Sequence, residues 1–265
     1  MKIKEMTAMY EKLGLQVYSV RNHMNSPEET AETFKKLAEM GYTEIQTAGS
    51  FANCPPEAYA KAAKDAGLTV IGTHYQVPED VDDIDDYVAM HRLLGTTNAG
   101  IGGLRLETIG EYEAFVEKAN RLAKNLARHG MKFTYHHHSW EFARLDGVRP
   151  IDLLLEKLDK DNITFVFDTY WLNNAGVDVV SFLEKYGDRC EILHLKDRAV
   201  KPATNEAYIT ELGSGNLDWA AILEVAERKG IKHICVEQDI WPEDGDSLTS
   251  CAMSAEYFKK TFLGK

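Results

Sequence analysis

Hydrophobic and polar positions along the chain follow two alternating periods. Short apolar, β-branched runs fall at residues 13–20, 43–48, 69–74, 99–104, 132–137, 163–168, 192–196 and 233–237. Between them lie stretches with apolar residues every three to four positions, the spacing of an amphipathic helix. The helical stretches carry their own start and stop signals. Ser26-Pro27-Glu28-Glu29 reads as an N-cap, a proline in the first turn and a capping-box acid, and the helix it opens runs to Gly41. Thr108 with Glu111 is a second capping box, and Gly67, Gly95, Gly130, Gly187 and Gly230 sit where helices stop. Further helices are expected at 56–66, 81–94, 150–158, 179–186, 218–229 and 247–262. Eight strands alternating with eight helices predict an α/β protein, a (β/α)8 TIM barrel formed by residues 1–265 as a single domain.

A doubly wound sheet is the competing arrangement. It expects a glycine-rich phosphate turn after the first strand. Here Arg21-Asn22-His23-Met24-Asn25 follows instead, and Gly100-Ile101-Gly102-Gly103 comes late and lacks the dinucleotide-binding spacing.

In a parallel barrel, side chains at the C-terminal strand ends converge on one mouth. Four strands here end in metal-ligand residues: Tyr135-His136-His137-His138-Ser139-Trp140-Glu141, then Asp168, then His194-Leu195-Lys196-Asp197, then Glu237. Together they offer a mixed nitrogen and oxygen site for a divalent cation. Each has a plainer reading: Asp168 as a helix cap, His194 as a hydrogen-bonded core residue, Glu237 as a salt-bridge partner. Joint placement on successive strands favours the metal. On strand five, His136 and His138 share one face, and Glu141 is long enough to reach back; as a hard carboxylate ligand it is the preferred third oxygen donor. Lys196, on the face of His194, supplies a cation for a substrate oxyanion, and Asp197 is expected in a structural ion pair. Gln16 and Tyr18 on the first strand, Gln46 on the second and His74 on the third read either as polyol-binding groups or as polar barrel-layer residues. Trp140, Tyr170 and Trp171 could stack on a sugar ring or pack the core.

Charge narrows the partners. The chain has 265 residues and a formal net charge of -12, which disfavours a nucleic-acid groove because phosphate binding needs clustered Lys and Arg. Cys54, Cys190, Cys235 and Cys251 form no C-x-x-C pair and suggest reduced thiols. The charged segment from Met1 to Lys12 lacks a signal-peptide core, and no apolar run is long enough for a membrane span. A cytoplasmic protein without membrane or nucleic-acid partners follows, with a homo-oligomer left open.

Several motifs together resemble a known family. They are Leu15-Gln16-Val17-Tyr18-Ser19-Val20-Arg21, the Tyr135–Phe142 segment, Asp168-Thr169-Tyr170-Trp171, His194-Leu195-Lys196-Asp197, Gly213-Ser214-Gly215-Asn216-Leu217-Asp218-Trp219 and Glu237-Gln238-Asp239. They resemble the sugar phosphate isomerase/epimerase family of xylose isomerase-like TIM barrels, relatives of the ketose 3-epimerases and of endonuclease IV. The resemblance implies one divalent cation (Mn2+, Mg2+, Co2+ or Zn2+) held by a Glu, an Asp, a His and a Glu. Carried over, these are Glu141, Asp168, His194 and Glu237, although ketose 3-epimerases place a glutamate where this chain has His136. The implied activity is isomerisation or epimerisation of a sugar, keto-sugar or polyol through an enediolate. Glu141 and Glu237 would be acid/base groups, His136 or His138 relays, Lys196 an oxyanion partner, and Gln16, Tyr18, His74 and Trp171 substrate contacts. A keto-sugar or keto-glycoside lyase or dehydratase would use the same site. A non-catalytic sugar-binding barrel is a third reading.

Overall fold

The computed structural model describes residues 10–49, 51–241 and 245–263. Most of the N-terminal segment read for targeting therefore lies outside the described residues. Eight parallel strands form one sheet: β1 (Gly14–Gln16), β2 (Glu44–Ala48), β3 (Thr69–His74), β4 (Asn98–Ile101), β5 (Lys132–His136), β6 (Ile163–Asp168), β7 (Cys190–Leu195) and, last in the chain, β10 (His233–Val236). The order is β3-β2-β1-β10-β7-β6-β5-β4. The β3–β4 seam is bridged where Tyr75 N–H donates to the Gly100 carbonyl at 2.8 Å and the Asn98 amide donates to the Ile71 carbonyl at 2.8 Å. The result is a nearly closed barrel, the expected TIM architecture. Gly100 makes the seam fit: a Cβ there would collide with the Thr134 hydroxyl and sit 2.8 Å from the Thr73 carbonyl.

Helices α1 (Pro27–Met40), α2 (Pro56–Asp65), α3 (Asp85–Leu94), α4 (Ile109–Ala127), α5 (Pro150–Lys157), α6 (Thr169–Asn174), α7 (Val179–Tyr186), α8 (Trp219–Arg228) and α9 (Ser247–Phe258) connect or follow the strands. Their caps are those the sequence announces. Ser26 accepts from the Glu29 N–H, and Thr108 and Glu111 close a reciprocal capping box. Leu37, Phe34, Leu122, Leu126 and Leu154 bury the helical stripes against the outer faces of the strands.

Three elements depart from the periodicity. The first strand stops at Gln16, and residues 17–23 form a 3₁₀ segment, because the Gln16 side chain accepts from the Tyr18 N–H and caps a turn there. Tyr18 consequently does not share a strand face with Gln16. After β7 the chain makes a two-stranded antiparallel hairpin, β8 (Asp197–Val200) and β9 (Ala207–Thr210), outside the barrel sheet. The short helix α6 opens directly from Asp168.

The barrel interior is layered by the strand pleat. Ile71, Val166, Ile192 and Cys235 form one buried apolar layer. Two residues further along β6, β7 and β10 come Asp168, His194 and Glu237, on the same faces. Polar chemistry thus sits at the mouth, on an apolar floor.

Candidate metal centre at the barrel mouth

His136, Asp168, His194 and Glu237 each present one ligand atom to the others, all within 4.8 Å of one another. All four side chains are buried. Their converging atoms, His136 Nε2, Asp168 Oδ2, His194 Nδ1 and Glu237 Oε2, have no hydrogen bond of acceptable geometry among the described residues. His194 Nδ1 lies 2.8 Å from Glu237 Oε2, and the two carboxylate oxygens also face the Lys196 ammonium, so the four atoms are in ionic contact without well-formed hydrogen bonds. Buried polar atoms are rarely left so, and a divalent ion would satisfy them. Two imidazoles and two carboxylates also suit a borderline or hard ion. The residues therefore fit the implied metal.

Each ligand candidate is oriented by its other polar atom. His136 Nδ1 lies 3.1 Å from the Gly102 carbonyl, to which it must donate, leaving Nε2 with a lone pair. His194 Nε2 lies 2.6 Å from Gln46 Oε1, which turns Nδ1 to the centre. Gln46 is in turn held by Gln16, whose amide donates to the same Oε1 at 2.9 Å. Asp168 divides its oxygens: Oδ1 accepts from the Trp171 N–H at 2.9 Å and caps α6, while Oδ2 faces the cluster. The helix-cap and cluster readings of this residue hold together. Such outer contacts fix ring orientation and tautomer at metal sites.

Lys196 brings a positive charge into the same space. Its ammonium lies 3.0 Å from Asp168 Oδ2, 2.8 Å from Glu237 Oε2 and 3.0 Å from Asp239 Oδ2, with the side chain only 1% exposed. Burial alone would raise the Asp168 and Glu237 carboxyls, but the Lys196 charge together with His136 and His194 outweighs it and holds both well below the usual range. Asp239 goes the other way, raised by burial and by the neighbouring Glu237. His194 loses charge stability to burial and regains more from Glu237 and Asp168 together, so its pKa rises.

Glu141 does not join the cluster. Its Oε1 accepts from the Tyr135 hydroxyl at 2.9 Å and its Oε2 from the His138 N–H at 2.8 Å. Tyr135 lies on the opposite strand face from His136, against Phe115 of α4, so these bonds draw Glu141 into the strand–helix layer. In this geometry Glu141 does not reach back toward the cluster as expected of a strand-five ligand; the imidazole of His136 is the strand-five group that faces Asp168, His194 and Glu237. Burial without a cation partner pushes Glu141 up to about 8.

His138 stacks on Trp140, with ring centroids 3.9 Å apart, and its Nδ1 has no hydrogen-bond partner among the described residues. Burial, with His136 and Lys196 nearby, pushes it down to about 2, so it is neutral. Trp171 lies 5.1 Å from the His138 ring and 5.1 Å from the Lys196 ammonium, its indole N–H unpaired among the described residues. His74 stacks on His136 at 4.9 Å, and its Nε2 is likewise unpaired among the described residues. Gln16 is fully buried in the Gln46–His74 network, behind the ligands. Tyr18 is 43% exposed at the rim, its ring 3.9 Å from the Arg21 guanidinium.

Asp197 makes no ion pair among the described residues. It accepts instead from the backbone N–H groups of Gly213, Gly215 and Leu217 and from the Trp219 indole. A Cβ at Gly215 would strike its Oδ1. The Gly213–Trp219 motif is therefore a loop wrapped on one carboxylate. Two contributors were not singled out from sequence. Asp239, at the next same-parity position after Glu237, completes the acidic cage around Lys196, and Gly102 provides the carbonyl that orients His136.

The model of the xylose isomerase-like TIM barrel family matches residues 34–259. The chain belongs to this family. An inosose dehydratase of Clostridium perfringens (strain 13 / Type A) is 25% identical over 164 residues, 57% of this chain and 54% of that protein. The chain thus spans about half the length of this curated relative. An inosose dehydratase of Geobacillus kaustophilus (strain HTA426) is 23% identical over 268 residues, 86% of each chain. Among solved structures, a sugar phosphate isomerase/epimerase from Parabacteroides distasonis ATCC 8503 superposes with a TM-score of 0.79 at 25% identity, covering 94% of this chain and 93% of that one. These relatives are enzymes of sugar and cyclitol chemistry. Among the described residues, no helix is long and apolar enough to cross a membrane.

Proposed function

We propose that this protein is a metal-dependent enzyme that removes the proton beside the carbonyl of a keto-sugar or keto-cyclitol and expels a β-hydroxyl or β-alkoxy group, as a dehydratase or lyase. His136, Asp168, His194 and Glu237 would hold the ion. When bound, a divalent ion there supplies a Lewis acid that draws developing negative charge from the carbonyl.

The chain's own residues do the rest. Lys196 keeps Glu237 ionised, so the carboxylate can accept the α-proton. The C–H electron pair forms the enolate carbon–carbon double bond while the carbonyl π pair moves to oxygen. The oxygen pair then re-forms the carbonyl, the carbon–carbon pair shifts to make the α,β double bond, and the β-carbon–oxygen pair leaves with the oxygen. The departing oxygen takes its proton back from Glu237, which ends the cycle ionised. Neutral His138 accepts a hydrogen bond from a substrate hydroxyl through its unpaired Nδ1, and Trp171 and His74 offer further unpaired polar atoms. The His138–Trp140–Trp171 wall excludes water from one side.

One observation carries the choice of elimination. Epimerisation with two carboxylates needs a second base on the opposite face of the substrate. Glu141, the residue available for that task, is bonded to Tyr135 and His138 in the strand–helix layer. The likeness to inosose dehydratases supports the same choice. Isomerisation or epimerisation is the second reading, favoured by the likeness to the Parabacteroides distasonis protein.

The test is product analysis by NMR after incubating the metal-loaded protein with inososes, keto-glycosides, free ketoses and ketose phosphates. An unsaturated or rearranged product lacking the β-oxygen, with a primary isotope effect on the α-hydrogen, is expected. A stereoisomeric product that keeps every oxygen would replace the first reading by the second. Turnover with no isotope effect at that carbon would refute both.

A further inference from the structure

Lys196 and the metal ligands draw on the same oxygens. The ammonium lies 3.0 Å from Asp168 Oδ2 and 2.8 Å from Glu237 Oε2, the two carboxylate atoms that face the centre. Asp168 has no second oxygen to offer, because Oδ1 caps α6 at the Trp171 N–H. The lysine is also pinned at its backbone: its N–H donates to the Thr169 hydroxyl at 3.0 Å, and that hydroxyl lies 2.9 Å from the Lys196 carbonyl. The ammonium and a divalent ion, both facing these two oxygens, repel one another in a buried site where charge is weakly screened.

Asp239 alters this balance. Its Oδ2 accepts from the Lys196 ammonium at 3.0 Å, yet it is not one of the four residues whose ligand atoms converge. It is also the most exposed of the three carboxylates around the lysine. Its main chain is held by Arg21, whose guanidinium donates to the Asp239 carbonyl at 3.0 Å and to the Tyr18 carbonyl at 2.7 Å. Three carboxylates against one ammonium leave two negative charges, which a divalent ion neutralises. With Asp239 removed, Asp168 and Glu237 alone would face both cations and leave one positive charge buried without a partner, which is costly.

We propose that Asp239 is a positioning residue of the metal centre: it takes up the Lys196 charge and so leaves Asp168 and Glu237 to the ion. This rests on the metal-centre reading and adds a second layer to it. Lys196 opposes metal binding, Asp239 relieves that opposition, and Asp239 therefore acts through Lys196. The pair sets how tightly the ion is held, although neither residue is a ligand.

The experiment is a double-mutant cycle read as Mn2+ affinity, by graded chelator competition at pH 8 on the Mn2+-loaded, full-length protein. Asp239→Asn should weaken Mn2+ binding by about 10- to 100-fold, the usual effect of losing an outer contact of a metal site. Lys196→Met should strengthen it by about tenfold, because a like charge is removed from the ligand oxygens. In the Lys196→Met background the loss caused by Asp239→Asn should shrink several-fold. Asp239→Glu, which keeps the charge, should retain most of the wild-type affinity. Thermal melts report folding, and Lys196→Gln replaces Lys196→Met if the latter does not fold. Unchanged affinity in Asp239→Asn, weaker binding in the folded Lys196 variant, or an equal Asp239→Asn loss in both backgrounds would overturn the proposal. In the last case Asp239 acts as a distant charge and not through Lys196. Any of these results with Mn2+ bound to the wild type leaves the metal-centre reading standing. A wild type that holds no Mn2+ would remove that reading and the proposal together.

Discussion

Glu141 is a buried carboxyl with two hydrogen-bond donors and no cation, and its replacement by glutamine has a calculable pH signature. Its ordinary value of 4.5 is pushed up to about 8, chiefly by burial. Between those two values the unfolded chain has released the proton and the native protein has kept it. Native stability therefore falls as pH rises through this window, and the contribution is fully present only below 4.5. At about 1.4 kcal/mol per pH unit, the loss approaches 5 kcal/mol at most. Glu141→Gln removes the ionisation. The amide oxygen can accept the His138 N–H, and the amide nitrogen can donate to the Tyr135 oxygen, so the substitution should be near neutral at pH 5. Urea unfolding of both proteins from pH 5 to pH 9 gives a difference curve in which the other titrating groups cancel. The variant should gain on the wild type with increasing pH, by about 3–5 kcal/mol in all, with the gain levelling off above pH 8. A flat difference curve, or one falling with pH, would refute the account of Glu141.

Two other substitutions test the supports of the mouth. Asp197→Ala strands four N–H donors of the loop that ends at Trp219; at about 1–3 kcal/mol per stranded buried donor, partly relieved by water, a loss of about 3–5 kcal/mol in urea unfolding is expected, and an unchanged midpoint would contradict it. Gln46→Leu removes the partner of His194 Nε2; Mn2+ or Zn2+ affinity by calorimetry should fall about 10- to 100-fold, and an unchanged affinity would show that Gln46 does not orient the ring.

The barrel was legible because its signals are local. Glycine stops, capping boxes and apolar runs each act over a few residues, and the strand pleat then carries Asp168, His194 and Glu237 to the same level without further information. The departures arise from single side chains competing for backbone groups. Gln16 caps its own chain at Tyr18 N–H and ends β1 after three residues, although the apolar pattern continues. Asp197 collects donors from a loop sixteen to twenty-two positions away, which no local pattern announces. For Glu141, chain length permitted a reach back to the cluster, but a nearby phenol and a backbone N–H captured it first. The choice between His136 and Glu141 thus depended on which face Tyr135 presents, a matter of packing against α4.

The central claim is that His136, Asp168, His194 and Glu237, and not Glu141, form a divalent-metal centre. Metal content by mass spectrometry after loading with Mn2+ or Zn2+ and desalting tests it directly. The account expects one ion per chain in the wild type and in Glu141→Gln, and little or none in His136→Ala and Asp168→Ala. Loss of the ion in Glu141→Gln together with full retention in folded His136→Ala would contradict it.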